Sequence, residues 1–68
     1  MSLSIRNQIP GTVTSVTPGE AMATVRVSVG SAELTAVITK DAVTDLALTQ
    51  GSDVTVLFKS TEVSLSAG

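Results

Sequence analysis

The chain has 68 residues, 43% of them apolar and 15% charged, with a net charge of −2. Four basic residues (Arg6, Arg26, Lys40 and Lys59) stand against six carboxylates, and Phe58 is the sole aromatic. The basic face and the stacking rings that nucleic acids require are therefore missing.

Cysteine and histidine are also absent. That excludes disulfides and the common zinc sites, and it removes the usual general base and the best neutral-pH nucleophile. Enzymatic activity is not expected. A length of 68 residues fits one domain, 1–68, too small to be more than marginally stable alone, so self-association is expected. No apolar run approaches the roughly 18 residues of a spanning helix, and the opening lacks the charged-then-apolar pattern of a signal peptide. The expectation is a cytoplasmic protein with neither a membrane nor a nucleic-acid partner.

In chain order, Leu3 to Ile9 forms an opening segment cut off by Pro10-Gly11, free to pair with a neighbouring subunit. Gly11 to Thr17 alternates apolar and polar residues, which is the period of a half-buried strand, and Pro18-Gly19 signals a turn. Ala23 to Val29 sets Val25, Val27 and Val29 on one face and Thr24, Arg26 and Ser28 on the other. Gly30-Ser31 connects it to Ala32–Thr39 as a hairpin. Thr39 then reads as a helix N-cap, with Asp41 in the first turn and Ala42, Val43, Leu46 and Ala47 on one face, before Gly51 ends the helix. Asp53–Lys59 and Glu62–Ser66 are two further extended runs.

Many short strands with one helix predict an all-β fold. The expected form is a small OB-fold-like barrel of five to six short strands, closed or nearly so, with a short helix at about residues 40–48. Closure would hide strand edges that otherwise invite aggregation.

Binding a small oxyanion asks less of a sequence than catalysis does. Backbone N–H groups, hydroxyls and one or two cations suffice. Nineteen of the 68 residues are serine or threonine, although threonine is also simply a good strand former. Each candidate has a plainer reading. Arg6 could be solvated or paired with a carboxylate, and Lys59 could protect a strand edge. Ser4 and Ser60 could satisfy local backbone groups, Asn7 could be a turn residue, and Thr39 could be only a cap. The residues taken singly leave these readings open.

Their combination resembles the molbindins, the small molybdate-binding domains also called Mop domains. Those domains open with Ser-Ala-Arg-Asn-Gln, a spacer and a glycine; here the match is Ser4-Ile5-Arg6-Asn7-Gln8, then Gly11-Thr12-Val13. Ala36 to Thr39 plus the helix, the turn Leu48-Thr49-Gln50-Gly51 and the ending Lys59-Ser60-Thr61 follow in the same order. The resemblance implies that Ser4, Arg6, Lys59 and Ser60 surround an anion within one subunit, with backbone donors from Asn7. Thr39 would come from an adjacent subunit, with the positive end of the helix dipole toward the anion.

The resemblance further implies a homohexamer, built as a trimer of dimers, that stores or buffers molybdate with tungstate as a substitute and without an organic cofactor. The resemblance also implies a second class of anion site near the threefold axes, for which the Gly19–Met22 turn is the candidate. Two positions depart from the family pattern. Ile5 replaces alanine, and Ala42 stands where several relatives carry serine, leaving only its backbone N–H as a donor. The alternative is a structural or regulatory self-assembling module whose anion site is weak or vestigial.

Overall fold

The computed structural model describes residues 3–68. Its strands are β1 (Asn7–Pro18), β2 (Met22–Val29), β3 (Ala32–Thr39) and β4 (Asp53–Phe58). Helix α1 (Lys40–Asp45) joins β3 to β4, and a single 3-10 turn, Ser60–Glu62, follows β4. The strands form one antiparallel sheet in the order β3-β2-β1-β4.

Alternation in the sequence decides which face is buried. Ala23, Val25 and Val27 of β2 are buried beside Val13 of β1. Val16, Val29, Ile38, Val43, Leu48, Val54 and Val56 pack against the three valines. The opposite face carries Arg26, whose guanidinium pairs with Glu33 across the hairpin at 3.2 Å, both side chains about half exposed.

β1 serves both halves of the sheet because it bends. Val13 pairs with Val27 but Ser15 pairs with Arg26, so Thr14 is an extra residue in the ladder, a β-bulge. Its hydroxyl donates to the Arg26 carbonyl at 3.2 Å. At Gly11, β1 runs close against β2. A Cβ there would lie 2.6 Å from Val27 Cγ1 and 2.8 Å from the Ser28 carbonyl oxygen. The loop before β4 is clipped to the same region, with Val13 N–H donating to Ser52 O and Gly51 N–H to Val13 O.

The all-β, OB-like architecture agrees with the sequence, but the strand count is four rather than five to six. Pro10-Gly11 does not divide β1. Pro10 lies ahead of Thr12, where pairing with β2 begins, so its missing N–H breaks no bond on that side, and it stands opposite Thr55 of β4. The opening segment therefore enters β1 at Asn7. Glu62–Ser66, expected as a strand, pairs with nothing among the described residues. The helix stops at Asp45 instead of near 48: Leu46 is its C-cap and Ala47 turns left-handed at φ 51°. That turn sends Leu48 back to the core.

β3 and β4 are the two sheet edges and do not pair with each other, so the barrel stays open between them. The inner face is exposed there as an apolar cleft of about 210 Å³, lined by Val25, Val27, Ile38, Leu46, Leu48 and Val56 among others. No described helix is long and apolar enough to cross a membrane.

Candidate functional site

The pairing of β1 with β4 determines where the two motif-bearing ends of the chain lie. The strands run antiparallel from Thr12↔Asp53 to Asn7↔Phe58. Ser4-Ile5-Arg6 leads directly into the strand end that Phe58 faces, and Lys59-Ser60 leads directly out of it. The first and last thirds of the chain thus deliver Arg6 and Lys59 to one corner of the sheet. Neither cation takes part in an ion pair or side-chain hydrogen bond among the described residues, whereas Arg26 does.

Local structure shapes this corner in two ways. Gln8 Nε2 donates to the Ile5 carbonyl at 2.8 Å, closing a short loop around Arg6 and Asn7. After β4 the chain turns rather than continuing extended. Glu62 N–H donates to Lys59 O at 2.9 Å, so Glu62 sits one tight turn on from Lys59 instead of alternating with it along a strand. Ser4, Arg6, Lys59 and Ser60 are exposed and Asn7 is half-buried.

Thr39 and Ala42 are not at this corner. Thr39 pairs with Met22, and the neighbouring Ala23 pairs with Pro18, so Thr39 lies beside the far end of β1. Asn7 begins that strand of twelve residues and Pro18 ends it. Thr39 caps α1: its Oγ1 accepts the Ala42 N–H at 3.0 Å. The Ala42 N–H expected to serve an anion is therefore already engaged by the cap, while the Thr39 hydroxyl hydrogen has no acceptor among the described residues. Within one copy, the structure unites Ser4, Arg6, Asn7, Lys59 and Ser60 and leaves Thr39 and Ala42 apart from them.

Gln8 belongs to the opening motif but not to the set of site residues expected from sequence. Its signal was the spacing: a long amide three residues after a carbonyl that no ladder claims. The described residues hold no cluster of carboxylates that could hold a metal ion. The corner instead gathers two cations and several hydroxyl-bearing side chains.

The model of the family described as TOBE domain matches residues 3–65. The chain belongs to the TOBE domain family. Among TOBE relatives, the molybdenum-pterin-binding protein 3 of Clostridium pasteurianum is 37% identical, covering 98% of this chain and all of that protein. A solved molybdate-binding protein from Sporomusa ovata superposes with a TM-score of 0.95 at 39% identity, over 98% of this chain and 100% of that one. The apo structure of MopII from C. pasteurianum gives 0.90 at 34% identity, over 97% and 100%. The molbindin resemblance read from the residues agrees with these relatives across nearly the whole TOBE chain.

Proposed function

We propose that this chain is a binding protein for molybdate, with tungstate as a substitute, that stores or buffers the anion inside the cell without changing it chemically. The observation that supports the reading is the Asn7↔Phe58 register, which brings the chain positions of Arg6 and Lys59 to the same end of the β1–β4 pair, neither with a carboxylate partner among the described residues. Two cations and several short donors suit a tetrahedral dianion, because charge-assisted hydrogen bonds contribute about 1.5–3 kcal/mol each. The names of the relatives, molybdate-binding and molybdenum-pterin-binding, point to the same ligand. The cargo is the bare oxyanion. Phe58 is the sole aromatic residue and is half-buried, so the chain has no pair of rings to stack a pterin.

The same reading makes the working unit a homo-oligomer, a hexamer arranged as a trimer of dimers, with Thr39 of one copy completing the corner of another. Three features support self-association of the single domain 1–68. Leu65 is 92% exposed and Val63 is 43% exposed, on a tail that alternates apolar and polar residues. The strand edges β3 and β4 are unpaired. An apolar cleft opens between them. Burying such surface is the main driving force for association.

A second reading, a structural self-assembling module with a weak anion site, is favoured by one observation: residue 42 is alanine and its N–H is spent on the cap. Calorimetric titration with molybdate, together with mass measurement in solution, separates the two. Heat that saturates at a whole number of anions per oligomer is the expected result. An oligomer that gives no heat at millimolar molybdate would leave only the structural reading. A monomer that binds at full strength would remove the shared site.

A further inference from the structure

Arg6 stands just outside regular structure, since the β1–β4 ladder begins at Asn7. A cation outside the ladder is held by no strand hydrogen bond, and whatever freedom that leaves it must be given up when it grips an anion. Gln8 is anchored: it sits within the ladder opposite Leu57. From that position its side-chain amide reaches back and donates to the Ile5 carbonyl at 2.8 Å. The bond links a fixed residue to a free one and closes a ring whose interior residues are Arg6 and Asn7.

We infer that Gln8 is a positioning residue for the oxyanion corner, holding the Ile5–Asn7 backbone in its binding shape before the ligand arrives. This rests on the proposed reading of the corner as a molybdate site. Gln8 acts through the Ile5 carbonyl and not on the anion. The role demands a donor at that length. Methionine matches the shape but has no N–H, and asparagine keeps the amide but is one methylene shorter. Ile5 has no other hydrogen bond from a described side chain, so nothing replaces the lost link.

The test compares the full-length chain with Gln8→Met and Gln8→Asn. In the ligand-free proteins, backbone order parameters of the Arg6 and Asn7 amides should fall in both variants while those of β2 stay constant. The melting temperature should change little, because Gln8 is exposed in the single copy and buries no core surface, and oligomer mass is measured alongside so that loss of assembly is told apart from loss of positioning. Titration with sodium molybdate should then show affinity weakened about tenfold, or 1.4 kcal/mol, with the loss in the binding entropy. Order parameters that stay high, or molybdate affinity equal to that of the unaltered chain, would overturn the role of Gln8 alone. An unaltered chain that takes up no molybdate overturns the functional reading, and this inference falls with it. If Gln8→Met does not assemble, Gln8→Asn decides on the same criteria; loss of assembly in both would make Gln8 structural and overturn the inference.

Discussion

The two ends of β1 hold the candidate donors in opposite conditions. At the Asn7 end, Arg6 and Lys59 are brought together by strand pairing but form no bond among the described residues. At the Pro18 end, beside Thr39, the hydroxyl and the Ala42 N–H already satisfy each other. One end holds two cations without an ion-pair partner among the described residues; the other is a finished helix cap with one hydrogen to spare. The two sets of donors are thus separated in space within one copy. On the proposed reading, a site that uses both would draw its second end from another copy.

Removing charge at the first end should have the largest effect. Arg6→Ala and Lys59→Ala should each weaken molybdate binding by about 2 kcal/mol, roughly thirtyfold. The double variant should lose less than the sum, because neighbouring groups that share a ligand are not independent. Calorimetry at fixed ionic strength reads this directly. If the double variant binds as tightly as the unaltered chain, the charged corner is not the site and the contrast between the two ends loses its functional meaning.

Gly11 ties the two ends together, since β1 there pairs with Val54 of β4 and lies against Val27 and Ser28 of β2. In Gly11→Ala the new methyl would meet the Ser28 carbonyl, which is ladder backbone and yields little. Overpacking of this kind costs about 2 kcal/mol, or about 8–15 °C in a domain of this size. The melting temperature should be compared at equal protein concentration, because association shifts it too. An unchanged melting temperature would mean the two strands can separate there without loss, and that β1 does not rigidly fix one end to the other.

Strand alternation made most of this fold legible. β2, β3 and β4 follow from valine and threonine spacing, because a two-residue period has one face to bury. What the sequence misplaced were positions decided by neighbours. Pro10-Gly11 reads as a break, yet β1 runs through it, because β2 pairing starts only at Thr12. Glu62–Ser66 reads as a strand, yet the chain leaves β4 through the Ser60–Glu62 turn and pairs with neither free edge of the sheet among the described residues. The helix was expected to reach about residue 48, but it ends at Asp45, and Ala47 then turns the backbone left-handed without the glycine that usually marks such a stop. The two motif stretches were visible as residues. That they meet at one corner was visible only in the β1–β4 register, and the engagement of the Ala42 N–H only in the cap geometry.

Thr39 lets cap and donor be pulled apart. Thr39→Val removes both, costing about 1 kcal/mol of stability from the cap alone. Thr39→Asp retains a good capping oxygen but presents a carboxylate to the anion. The expected outcome is a stable Asp variant that no longer binds molybdate; full binding by it would reduce Thr39 to a cap. A mixture of Arg6→Ala and Thr39→Asp chains sharpens the comparison further. If each site draws its two ends from different copies, random co-assembly restores about a quarter of the sites. If both ends came from one copy, mixing would restore none.

The smallest effect is expected at Ala47, close to the capped end but outside both donor sets. Its φ of 51° lies in the left-handed region, where a Cβ is crowded by the following carbonyl. Ala47→Gly relieves that crowding but adds freedom to the unfolded chain, so the net gain should be about 0.5 kcal/mol. Stability should rise slightly and molybdate affinity should stay constant, because Ala47 N–H bonds Thr44 O within the helix end and touches neither set of donors. A change in affinity without a change in stability would show that the helix terminus moves Thr39 as it relaxes. The capped end would then be adjustable, and its rigidity could no longer be set against the openness of the charged corner.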